Sequence, residues 1–337
     1  PLKLNYWDFG GQNIQHYAHQ FFLTGNALYV LLSNDREQNP NFEYWLNIIE
    51  LLGQGSKVLI VQNHKQGHCE TIKNAAGIRE RFPNVLNPFH GLDISKVEKE
   101  HRPQYDALER TIVNEALSIP TVQRVFARSF VRVRVRLEEL AADPEKHYIT
   151  WQEYIALCKE ESISEETAQD YANAYTAVGV CLHYPDHYQL CNYVFLRPKW
   201  IIDALFDVLY SDDVKNGELD SRRLHHIWQG EQYAPMRGNL LLLLELFELC
   251  YRVQDQEHLY IVPQRLPDAQ ESHGIAIENG VRVQYEYKFM PKGIITRFIC
   301  RQKNKIVRGK VWNDAVALSY SGETAFVHEV FSENIIK

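Results

Sequence analysis

Two uninterrupted apolar runs mark the first part of the chain, Leu28-Tyr29-Val30-Leu31-Leu32 and Val58-Leu59-Ile60-Val61. Runs of this kind predict strands buried on both faces of a parallel sheet, here over Ala27–Ser33 and Lys57–Gln62. Leu2–Trp7 alternates like a further strand, and a weaker candidate lies near Val85–Phe89. Between the two runs, Trp45, Ile48, Ile49 and Leu52 recur at helical spacing, and Gly53 supplies a stop. Tyr105, Leu108, Ile112 and Leu117 predict another helix that ends before Pro120. Strands alternating with helices predict an α/β fold with crossover connections.

Beyond Pro120 the pattern changes. Arg132-Val133-Arg134-Val135-Arg136 alternates with period two, but Leu137-Glu138-Glu139-Leu140 extends it into a helix with Phe130, Val133, Leu137 and Leu140 inward. Thr150 and Glu153 have the spacing of a capping box. Val180–Tyr184 and Tyr193–Leu196 predict a hairpin, and Leu249–Pro263 predicts a second one turning at Gln254–Gln256. Helices trailed by two-stranded wings predict a winged-helix-like α+β domain. Leu240–Leu244 reads as a core helix. Residues 266–280 are the best linker, and the alternation of Val283, Tyr285 and Tyr287 opens a final sheet-rich unit.

A length of 337 residues suits about two domains, and 45% hydrophobic with 23% charged residues is the profile of a globular protein. The net charge of −7 argues against broad nucleic-acid binding, which needs a positive footprint. Arg124, Arg128, Arg132, Arg134 and Arg136 form one local basic run, read first as a solvated face and only second as a DNA contact. The six cysteines, Cys69, Cys158, Cys181, Cys191, Cys250 and Cys300, show no metal-ligand spacing, so isolated thiols and a cytoplasmic location are expected. The Leu240–Leu244 run falls far short of a membrane span. The chain opens without Met on strand-like alternation, as if it began in mid-domain.

Candidate chemistry lies at Asp8-Phe9-Gly10-Gly11-Gln12. After a strand of an α/β domain, Asp8 could hold Mg²⁺ through water, Gly11 could bring a bare N–H to a γ-phosphate, and Gln12 could orient the attacking water. His16 and His19 follow in the same segment and read first as ordinary helix histidines. Trp7–Gln12, His19-Gln20-Phe21-Phe22-Leu23 and Ala27–Leu32 together resemble the Roc domain of the Roco family, a Ras-like GTPase domain. The resemblance continues into its COR domain through Phe195-Leu196-Arg197-Pro198-Lys199-Trp200-Ile201, Phe247–Tyr251, Tyr260–Pro263 and Phe289–Ile295. It implies a partial Roc domain over 1–120, a first COR part over 121–270 and a second over 271–337. It also implies a GTP/GDP switch with Mg²⁺, and a homodimer formed through COR.

The chain departs from that pattern in two places. The phosphate-binding GxxxxGK[ST] loop is missing; Gly53-Gln54-Gly55-Ser56-Lys57 precedes a strand where such a loop must follow one. The base-reading Asn-Lys-x-Asp is replaced by Asn63-His64-Lys65-Gln66, so Asn63 keeps its place and Gln66 stands where a carboxylate is expected. His90–Ser95 occupies the approximate place of the second base loop. A neutral amide gives up a charge-assisted hydrogen bond, so weakened guanine selectivity is expected. Two further readings stay open: a scaffold whose nucleotide site has decayed, and, behind it, a winged-helix nucleic-acid binder.

Overall fold

The computed structural model describes residues 4–8, 23, 25, 27–34, 42–64, 75–87, 89–96, 101–123, 126–269 and 280–330. Backbone contacts divide the chain into two units, residues 1–6 with 22–128 and residues 7–21 with 129–337.

In the first unit, β1 (Tyr29–Asn34), β2 (Val58–Asn63) and β3 (His90–Leu92) form a parallel sheet in that order. Tyr29 lies opposite Val58, and Val61 lies opposite His90. Helices α1 (Phe42–Leu52), α2 (Ala75–Arg81) and α3 (Arg102–Leu117) complete the unit. β2 is apolar at every inner position because both its faces are covered. Val58 and Ile60 pack with Phe42, Leu46, Ile49, Ile78 and Phe82. Leu59 and Val61 pack with Leu92 on the other side, against Leu108 and Ile112. Each such fully buried side chain stabilises the unit by about 1.5–3 kcal/mol.

Three local expectations are corrected. Residues 4–8 are not a strand. β1 is buried on one face only: Val30 and Leu32 are 45% and 61% exposed, because no described element covers them. The Val85 segment makes a single bridge to Val58, and the strand itself starts later, at His90.

The second unit opens with α4 (Arg128–Ala142), β4 (Tyr148–Thr150), α5 (Trp151–Glu160) and α6 (Glu165–Ala177). As expected, α4 turns Phe130, Val133 and Leu137 inward, where they meet Tyr154 and Tyr175. Both buried phenols are satisfied: Tyr154 donates to the Ala168 carbonyl at 2.9 Å and Tyr175 to the Phe130 carbonyl at 2.6 Å. Thr150 and Glu153 form the expected capping box at the start of α5. Three arginines of α4 are paired with acids, Arg132 with Glu161, Arg134 with Glu138 and Arg136 with Glu139.

The first expected hairpin does not form. β5 (Tyr193–Phe195) pairs antiparallel with β4, and Val180–Tyr184 contributes only the bridge from Leu182 to Phe195. Side-chain bonds replace the ladder there: the His183 N–H donates to Thr176 Oγ1, and the His183 ring meets the Tyr193 carbonyl. α7 (Pro198–Tyr210) follows, with Trp200 stacked between His147 and Tyr233.

The second hairpin forms as expected from β7 (Tyr251–Arg252) and β8 (Leu259–Ile261), and β6 (Glu218–Asp220) pairs on the far side of β8. Short α8 (Leu224–Ile227) and the leucine-rich α9 (Arg237–Leu246) lie between β6 and β7, and Leu240, Leu243 and Leu244 of α9 are wholly buried. The chain then forms α10 (Ile294–Arg301) and the antiparallel meander β9 (Ile306–Val311), β10 (Ala315–Tyr320) and β11 (Glu323–His328). Ser321 and Gly322, both at positive φ, make the tight turn between β10 and β11. The alternating 281–287 segment is not a strand. Val281, Val283, Tyr285 and Tyr287 are all exposed, and among the described residues no strand pairs with them. The architecture is thus α/β followed by α+β.

Candidate functional site

Parallel sheets bind ligands beyond the carboxyl ends of their strands, where loops diverge and backbone polar groups lose their partners. In the first unit those ends are Ser33-Asn34, Asn63-His64 and Leu92-Asp93. The sheet register holds them side by side, and the His64 N–H continues the ladder by donating to the Leu92 carbonyl at 2.9 Å.

Asn63 is buried, and its Oδ1 accepts the Ile94 N–H at 3.2 Å, tying the end of β2 to the loop after β3. Asp93, with no exposed surface, begins that loop. Its Oδ1 accepts both the Ser95 N–H at 3.0 Å and the Ser95 hydroxyl at 2.6 Å. These bonds, led by the Ser95 hydroxyl, hold the Asp93 carboxyl below the usual carboxylate range despite its burial. Its other oxygen, Oδ2, has no hydrogen-bond partner; Lys96 Nζ stands 4.0 Å away. His64 is buried as well, with Nδ1 unpartnered. Gly91 makes room for that ring, since a Cβ there would stand 2.7 Å from His64 Nε2.

Ser33 Oγ and His90 Nε2 are also buried without partners. Among the described residues of the first unit, three of the four unpartnered buried side-chain atoms, on Ser33, His64 and Asp93, lie at the carboxyl ends of these strands or just beyond them, and the fourth is on His90, the first residue of β3. Burial lowers the His90 pKa and so favours its neutral form. Native proteins leave few buried polar atoms unsatisfied, so a group of them near the strand ends calls for a partner, whether ordered water or a ligand.

The sequence-derived candidates fall unevenly on this picture. Asn63 is at the site. Gly11, Gln12 and Gln66 lie outside the described residues, as do His16 and His19. Asp8 is described and exposed, and by backbone contacts it groups with the second unit. Among the described residues no group of three or more His, Cys, Asp or Glu could hold a metal ion. Sequence reasoning assigned the second base loop to His90–Ser95 without singling out Asp93. The available signal was an acid just past a strand end, with a serine two residues on.

In the second unit an open groove of about 620 Å³ is lined by Asp213, Asp220, Arg222, Arg223 and His258. Its charges largely satisfy one another, Asp220 with Arg222 and Asp213 with Arg223. Cys158, Cys181, Cys250 and Cys300 are buried free thiols, and burial pushes the Cys181 thiol up to about 12. No described helix is long and apolar enough to cross a membrane.

Three domain profiles match the chain in order: the Ras of Complex, Roc, domain of DAPkinase over residues 1–66, the C-terminal of Roc, COR-A domain over 127–266, and the COR-B domain over 278–337. A Roc-COR-CHAT protease of Runella zeae is 29% identical over 94% of this chain and 34% of its own length. A Roc-COR-CHAT protease from an unknown prokaryotic organism is 25% identical over 97% of this chain and 31% of its own. The chain thus spans about a third of these relatives. Among solved structures, the Roco2 RocCORdC of Methanosarcina barkeri bound to GDP is 28% identical with a TM-score of 0.62, covering 77% of this chain and 79% of that one. With a parallel sheet in its first unit, an α+β second unit and these matches in sequence order, the chain belongs to the Roco family and carries part of a Roc domain followed by COR-A and COR-B.

Proposed function

We propose that this chain is part of a guanine-nucleotide switch, in which a Roc domain binds GTP or GDP and a COR domain self-associates in a way coupled to the nucleotide. The carrying observation is the buried Asn63, joined to Ile94, among unpartnered polar atoms at the carboxyl end of a parallel sheet. The GDP-bound Roco2 structure supports the choice of ligand. The base end of a nucleotide would meet this corner, whose buried polar atoms include both hydrogen-bond donors and acceptors. At the phosphate end, Gly11 would approach the γ-phosphate, Gln12 would position water, and Asp8 would hold Mg²⁺ through water. Bound Mg²⁺ would supply neutralisation of phosphate charge.

The direct test is titration calorimetry of the full-length protein with GDP and Mg²⁺, wild type against Asn63→Ala. Micromolar or tighter binding that weakens about tenfold in the variant is expected; no binding by wild type favours the scaffold reading. Self-association through the region after residue 275 is checked by light scattering with GDP and with a non-hydrolysable GTP analogue. A mass that ignores the nucleotide would remove the coupling.

A further inference from the structure

The sequence leaves the switch without a carboxylate at position 66, where a guanine-reading acid is expected. Guanine presents two neighbouring donors, N1–H and the 2-amino group, and an ionised carboxylate is the side chain that only accepts. Resting on the nucleotide-switch reading, we propose that Asp93, at the end of β3, supplies the carboxylate that reads the guanine N–H edge, with the His64 ring beside it as a second base contact.

Four observations carry this. Asp93 follows the last residue of β3, in the same crevice as Asn63, whose side chain is bonded to the very next residue, Ile94. Its two oxygens are unequal: Ser95 pins Oδ1 from both its N–H and its hydroxyl, while Oδ2 accepts no hydrogen bond. A turn-forming aspartate needs only Oδ1, so the local turn accounts for that oxygen and leaves Oδ2 without a hydrogen bond, facing the charges of Lys96 and His101 alone. Lys96 Nζ, 4.0 Å from Oδ2, is an ion-pair neighbour too distant to be a hydrogen bond. An ionised oxygen kept from water and left unbonded is costly, which is the condition a ligand N–H relieves. Finally, the neighbouring His64 brings a second buried, unpartnered atom, Nδ1, which can donate to a carbonyl such as guanine O6 when it carries the proton. Gly91 is what allows the ring to lie there. Since Oδ2 is covered, a base must displace that cover to reach it, and equilibrium binding is the proper measurement.

The chemistry dictates the substitution. Asp93→Asn can keep the Oδ1 bonds to Ser95 while turning Oδ2 into an NH₂ donor. That donor repels the guanine 2-amino group and suits xanthine, which carries a 2-oxo group in its place. Titration calorimetry of the full-length protein with GTP, XTP and ATP, each with Mg²⁺, compares wild type, Asp93→Asn and Gln66→Ala. Asp93→Asn is expected to lower GTP affinity at least tenfold and to raise XTP affinity above the wild-type value, a gain that misfolding cannot imitate. Gln66→Ala is expected to leave the GTP-to-XTP ratio within about threefold. A ratio that shifts in Gln66→Ala and stays unchanged in Asp93→Asn overturns the assignment and returns base reading to position 66. Wild type that binds GTP while Asp93→Asn leaves the ratio unchanged overturns the assignment alone. Wild type that binds none of the three overturns the switch reading and the assignment with it.

Discussion

Glu248 lies 2.6 Å from Arg297, joining the end of helix α9 to the face of α10. Glu248 sits just past α9 with φ +54, a left-handed position that glycine usually fills. Its N–H returns to the Glu245 carbonyl and the Leu249 N–H to that of Leu244, the paired bonds of a Schellman motif. The strained backbone aims the carboxylate at Arg297 and Arg301 together. The same region buries Tyr251, Ile261 and Leu266 against Ile295, Ile299 and Val316, so the COR-A and COR-B segments share one apolar cluster.

Glu248→Gln should therefore destabilise the protein by about 1.5–3 kcal/mol at pH 7, the worth of hydrogen bonds to a charged group. Burial alone would raise the Glu248 pKa, but bonds from Arg301 and Arg297 outweigh it and the net shift is downward. Stability from a lowered carboxyl is present above its unfolded value and is lost as pH falls through the folded one. Denaturant melts should show the wild-type advantage at pH 7 shrinking toward pH 3. A constant difference across that range would assign the effect to packing.

Glu329 behaves in the opposite sense. Burial, with Asp314 second, pushes its carboxyl up to about 7. Asp314 also faces His328, 3.3 Å away. A raised carboxyl favours the fold while protonated, so its contribution is complete below about 4.5 and is lost as pH rises to about 7. Thermal melts should fall between pH 5 and pH 8 in wild type, and the fall should be smaller in Glu329→Gln. Equal falls would show that Glu329 does not titrate in this window.

These 337 residues expressed alone should bind GTP weakly or not at all, because the sequence contains no phosphate-binding loop in the required place after a strand. Val30 and Leu32 also remain exposed on β1. Micromolar binding of a fluorescent GTP analogue by this chain would contradict the expectation.

If the full-length protein hydrolyses GTP, Gln12→Leu should slow the chemical step by about a hundredfold, the scale of losing a positioned reactant. Nucleotide affinity should barely change, since water positioning acts in the transition state. Single-turnover hydrolysis measures the step directly, and an unchanged rate would reassign Gln12 to a structural part.

By itself the sequence determined β2, whose unbroken Val58–Val61 run has one stable home between two covered faces. It likewise determined helices α1, α3, α4 and α9, the Thr150 cap and the second hairpin, since each rests on local periodicity or on partners a few residues away. Family motifs, ordered along the chain, carried the assignment to Roc and COR. Tertiary structure decided what depends on distant partners. Val180–Tyr184 has strand character, yet β5 pairs with Tyr148–Thr150, because a ladder goes to whichever edge the surrounding helices present. The 281–287 alternation is as regular as any strand in the chain, but without a described neighbour it forms none. Asp93 is the clearest case: its residue type was visible, but the inequality of its two oxygens arises only when Ser95 folds back on one of them and burial leaves the other without a hydrogen bond, at the strand end where the register also brings Asn63.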